Sequence, residues 1–197
     1  MDKNLADAYK DVARAAAIVC MESGVELARK FAHAAKANAG LQVKGEALDM
    51  AGFLFTAMQT QVVLTRWMRL IPIKEEYDFL MDKTMSFAPL AFAEKISGGN
   101  PLFGKYADEK SVMSKNEKIT AWNVEYMEAF IKDLSTFLDG SGNVHPDQLA
   151  QFTLKHLVQK LGWDSSLNDK VYAAMLPDII KENERSDHIA RSLLNEP

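Results

Sequence analysis

The chain has 197 residues with 48% hydrophobic and 25% charged side chains, ten glycines and six prolines. That suits one globular domain with a real core and excludes a disordered or low-complexity chain. A net charge of −4, a pI near 5.6 and no long basic run argue against nucleic-acid binding, and one cysteine excludes an internal disulfide.

In chain order, Leu5, Tyr9, Val12, Ala16, Val19, Ser23, Leu27, Phe31 and Ala34 recur at spacings of three and four. They predict one long helix, or two with a break near Ser23-Gly24, closed by Gly40 as a C-cap. Ala15-Ala16-Ala17 leaves a smooth face for close approach of another helix, and Cys20 beside it reads as a small buried hydrophobe. The stretch 46–71 follows. It is uncharged from Met50 to Thr65 and apolar on every side in its first half. Such a helix belongs inside something, and the uncharged run is shorter than the ~20 residues a bilayer core requires. We therefore read it as the buried central helix of an all-α bundle of six to eight helices, with no membrane span.

A third helix begins near Ile73 with Glu75 and Glu76 in its first turn, and Pro89 is expected to kink or end it. Ser97-Gly98-Gly99-Asn100-Pro101 is the strongest breaker in the chain. Ser114 and Glu117 form a capping box for an amphipathic helix through Ile119, Trp122, Tyr126, Phe130 and Phe137. Pro146 then sits where a first helical residue should, and the next helix runs from Leu149 to Leu161. Ser165 or Ser166 is expected to cap a short helix through Met175, with Pro177 starting a last one.

Complete chemical motifs are missing from this pattern. Gly99 to Tyr106 has the glycine and lysine spacing of a phosphate loop, but Tyr106 stands where a magnesium-holding hydroxyl is required. His33, His145, His156 and His188 form no zinc or di-iron signature. Asp139 to Leu149 resembles the calcium loop of EF-hand proteins, with Asp139, Gly140, Ser141, Gly142 and Val144 in the family's loop positions. That resemblance makes Asp139, Ser141 and Asn143 the candidate metal residues, while Phe137 and Gln148 replace both anchoring carboxylates. Residues 122–174 are also similar to the later helices of globins through Ala129, Phe130, Val144 and Pro146. There, Trp122 takes the place of the distal histidine, and haem would need His145 or His156. No cofactor and no catalytic residue is assigned.

Ten methionines and ten phenylalanines make the apolar inventory soft and adaptable, which suits a surface that repacks around another protein. In the last helix every residue from Lys181 to His188 is polar, yet Ile189, Leu193 and Leu194 follow. A helix polar all round is not expected to pack on its own core, so 181–197 reads as a projecting arm whose Ile189, Leu193 and Leu194 dock on a partner chain. The leading expectation is a cytoplasmic, non-catalytic protein-binding module: an adaptor, chaperone-like or regulatory subunit acting on another protein or as a homo-oligomer. A ligand-binding protein of degenerate EF-hand-like or globin-like shape comes second, and an enzyme third.

Overall fold

The computed structural model describes residues 2–96, 119–125 and 146–194. Helices α1 (Lys3–Ala39), α2 (Glu46–Leu70), α3 (Lys74–Ile96), α4 (Pro146–Lys160) and α5 (Ser166–Leu193) form an all-α bundle, with a further helical stretch at 119–125 and no strand among the described residues. The candidate metal residues Asp139, Ser141 and Asn143 lie outside the described residues.

Helix α1 is continuous through Gly24. Asp2 starts it by accepting a 3.0 Å hydrogen bond from the Leu5 amide, which supplies one of the acceptors that a helix N-terminus lacks. Gly40 ends it at φ 66°, its amide bonding back to Lys36 while Leu41 bonds to Ala35. Helix α2 then returns antiparallel to α1, and the two meet along small residues at four-residue steps. Gly52 faces Ala28, Gly24 faces Thr56, and Thr60 lies at Cys20. A methyl group at Gly24 would sit 2.5 Å from the Thr56 amide nitrogen and 2.7 Å from its Cα, so backbone meets backbone there.

The expected central helix is central. Phe53, Leu54, Phe55, Met58, Val63, Leu64 and Trp67 of α2 are buried among α1, α3, α4 and α5. By length and composition α2 could cross a membrane, but most of its apolar stretch is covered by the other helices. The core divides into two clusters. Phe31, Phe53, Phe55, Phe92, Ile119, Leu149, Leu157 and Met175 build the first, and Phe31 stacks on Trp163 with ring centroids 5.6 Å apart. Ala13, Ala17, Cys20, Leu64, Trp67, Leu80 and Leu90 build the second, at the opposite end of α1.

Neither of two prolines ends or starts a helix. Helix α3 continues through Pro89 to Ile96, and α5 is one helix from Ser166 to Leu193 with Pro177 inside it. An interior proline costs ~3 kcal/mol through its lost hydrogen bond and its clash one turn back. Around Pro89 every residue from Phe87 to Ala93 is buried. Burying Phe87, Leu90 and Phe92 at roughly 2 kcal/mol each outweighs that cost, provided the helical phase is kept. Around Pro177, Met175 and Ile179 both enter the first cluster one turn apart, which likewise holds the phase. The start of α5 is secured by Asp164, whose carboxylate accepts from the Ser166 amide at 2.8 Å; Ser165, at the cap position, makes no side-chain cap hydrogen bond. That hydrogen bond holds the Asp164 carboxyl below the usual carboxylate range.

Candidate functional site

The polar middle of α2 separates the two apolar clusters. Thr56, Gln59 and Thr60 are all buried. The two threonines satisfy themselves by donating to Gly52 and Thr56 carbonyls one turn back, at 2.8 and 2.9 Å. A buried Gln59 amide cannot do this and requires partners from elsewhere. They come from α5, which lies antiparallel to α1 and parallel to α2. Gln59 Nε2 donates to Asn183 Oδ1 at 2.9 Å, and Ser186 Oγ donates to Gln59 Oε1 at 2.6 Å.

The polar contacts continue along the seam. Lys30 pairs with Asp178 at 2.7 Å, a hydrogen bond that raises the Lys30 ammonium above its ordinary pKa. Arg185 reaches Glu22 at 3.5 Å. Arg66 pairs with Asp187, which also holds Arg191 at 3.2 Å, and Trp67 donates its indole N–H to the Ala190 carbonyl at 2.8 Å. One buried atom on this seam has no hydrogen-bond partner: Glu182 Oε2, which lies 3.5 Å from the Arg185 guanidinium.

This corrects the expectation of a projecting arm. Glu182, Ser186 and Ala190 are buried and Asn183, Asp187 and Ile189 half-buried, so the polar run does face its own core. Leu193 and Leu194, expected to dock on a partner, pack onto the second cluster of the same chain. Helical phase explains the error: 182, 183, 186, 187 and 190 share one face, and that face meets a polar stripe instead of an apolar one. The signal that could have found it was Gln59 itself, an amide in an otherwise apolar helix, together with Asn183 and Ser186 in the polar run.

Among the described residues most methionines are at least half covered. Met21, Met58 and Met175 are buried, Met50, Met81 and Met85 half-buried, and Met68 is exposed. Cys20 is buried too, and burial pushes its thiol up to about 12. His33 and His188 are exposed, and His156 stacks on Phe152 at 5.9 Å. Among the described residues no three of His, Cys, Asp or Glu converge as a metal site. A cavity of about 20 Å³ beside Pro89, lined by Phe53, Thr56, Ala57, Thr60 and Met85, has room for a single water.

Two of the large exposed apolar side chains lie five residues apart where α2 turns into α3. Met68 and Ile73 are 45% and 53% exposed, with Pro72 exposed between them where α2 turns into α3. This corner is at the end of the bundle built by the second cluster, where Leu193 and Leu194 also pack. No protein-family model, no curated protein and no solved structure matches the chain.

Proposed function

We propose that this chain is a non-catalytic protein-binding module, an adaptor, chaperone-like or regulatory subunit, which engages its partner at the α2–α3 corner. The observation that carries the reading is the exposure of Met68 and Ile73, both near half exposed, on either side of the turn between two core helices. Apolar side chains held at the ends of two packed helices offer anchors that lose little entropy on binding. Methionine adds a contact that adapts to its partner's shape.

The test is to purify the chain from its own host under mild conditions and repeat the purification with Met68→Asp and Ile73→Asp together. Both positions are exposed, so the melting temperature should hold to within ~0.5 kcal/mol of stability per site. A stoichiometric partner present with the original chain and lost from the double variant supports the reading. Equal recovery from both, or no partner from either, refutes it.

A further inference from the structure

The contacts of residues 178–194 differ in kind from those of the other helices. In this stretch only Ile179 and Ala190 are fully buried apolar residues, and Ile180 is 43% exposed. The segment is held mainly by directional polar contacts: Asp178 to Lys30, Asn183 and Ser186 to Gln59, Asp187 to Arg66, and the Ala190 carbonyl to Trp67. Glu182 Oε2 is buried on the same seam without a hydrogen-bond partner, which lowers the net gain of seating it. Pro177 lies just ahead, with no N–H for the Ala173 carbonyl, so helical cooperativity is weakest where the segment begins.

A segment with few buried apolar contacts is released below the free energy of global unfolding. Its release uncovers a slot floored by Gln59, Arg66 and Trp67. The polar contacts specify what refills it, since an amphipathic helix lacking Asn183, Ser186 and Asp187 at these spacings would leave Gln59 and Arg66 unpaired. We propose that residues 178–194 form an exchangeable arm, which on release seats in the same slot of a second copy of this chain. Reciprocal exchange rebuilds every contact of the closed chain, so only association remains to be met. The inference rests on the chain being a protein-binding module, but on a different surface from the Met68–Ile73 corner.

A charge-reversal pair tests it. Arg66→Asp in one preparation and Asp187→Arg in another each place like charges across the seam within their own chain. Alone, each variant should exchange the amides of 179–193 about tenfold faster than the original chain, with the interior of α1 and α2 unchanged. Mixed, they regain opposite charges only by trading arms. The mixture should therefore yield a one-to-one complex in native mass spectrometry, with the arm amides slowed back toward the original rate. Arg66→Gln with Asp187→Asn, mixed likewise, regains an opposite-charge pair in only one of the two slots and should recover less. Isotope-labelled and unlabelled original chains, concentrated under mildly destabilising conditions, should form mixed dimers with protected arms. No complex in the charge-reversed mixture, a complex whose arm amides stay fast, or original chains that remain monomeric throughout would each overturn the proposal. The Met68→Asp, Ile73→Asp variant should exchange arms as the original does, so loss of corner binding and loss of arm exchange are read separately.

Discussion

Replacing Gly24 by alanine sets two physical effects against each other with opposite signs. On helix propensity alone the change should stabilise, by ~1 kcal/mol, because Gly24 lies in the interior of a 37-residue helix. Packing says otherwise. The new methyl carbon would lie 2.5 Å from the Thr56 amide nitrogen and 2.7 Å from its Cα, about 1 Å inside ordinary contact. Neither atom belongs to a side chain that could rotate away, so α1 and α2 must part. Parting them loosens Ala28 against Gly52 and Cys20 against Thr60 as well. Overpacking a tight core site costs ~1–3 kcal/mol, and this one lies at the upper end because a helix pair has to move. The net expectation is destabilisation by ~2 kcal/mol, read as a fall in melting temperature of ~4–8 °C by circular dichroism at 222 nm. Adding Thr56→Ala should not rescue it, since the backbone atoms stay in place. A Gly24→Ala chain as stable as the original, or more so, would refute the close approach.

Phe55→Asp should abolish cooperative folding: Phe55 is fully buried, edge-on to Phe31 at 6.1 Å, and an unpaired carboxylate there costs several kcal/mol, comparable to the whole stability. A soluble variant with a sharp thermal transition would contradict the central position of α2. Alkaline pH should unfold the domain through two groups whose folded pKa is raised. Burial, aided by a 2.7 Å hydrogen bond to Glu76, lifts Tyr9 from 10.0 to about 12, and burial lifts Cys20 from 9.0 to about 12. Each favours its protonated form in the fold. Their contribution is complete below pH 9 for Cys20 and pH 10 for Tyr9, and is lost as pH rises toward 12. Denaturant titrations from pH 8 to 12 should show this loss, with less of it in Tyr9→Phe and Cys20→Ala. An unchanged pH profile in both variants would contradict the assignment.

Much of the fold was legible because apolar periodicity carried it. The stretch 46–71 announced α2 to within a residue at each end, Gly40 announced the close of α1, and Pro146 the start of α4. Other features depended on which helices meet. Pro89 read locally as a kink or an end and Pro177 as a start, yet each lies inside one helix because buried neighbours on both sides hold it there. The polar run of α5 read as solvated because a polar face was assumed to want water, whereas Gln59 on another helix wanted it more. The Gly24–Thr56 crossing was invisible for the same reason: a glycine and a threonine are informative only once they face each other. The exposed corner at Met68 and Ile73 had no sequence signal, since neither side chain differs locally from its buried neighbours.

The indole of Trp67 and the carbonyl it bonds are 123 residues apart in sequence. On a ribosome adding 5–20 residues per second, that separation amounts to roughly 6–25 s. Helices α1 and α2, joined by a short turn, can pair as soon as both have emerged, long before α5 exists. For that interval Gln59, Arg66 and Trp67 face solvent or a chaperone with no α5 of their own chain to cover them. Chains made side by side on one message therefore present open slots to the finished α5 of their neighbours. Whether an arm closes its own chain or another's is then decided by the spacing of ribosomes on the message as much as by affinity.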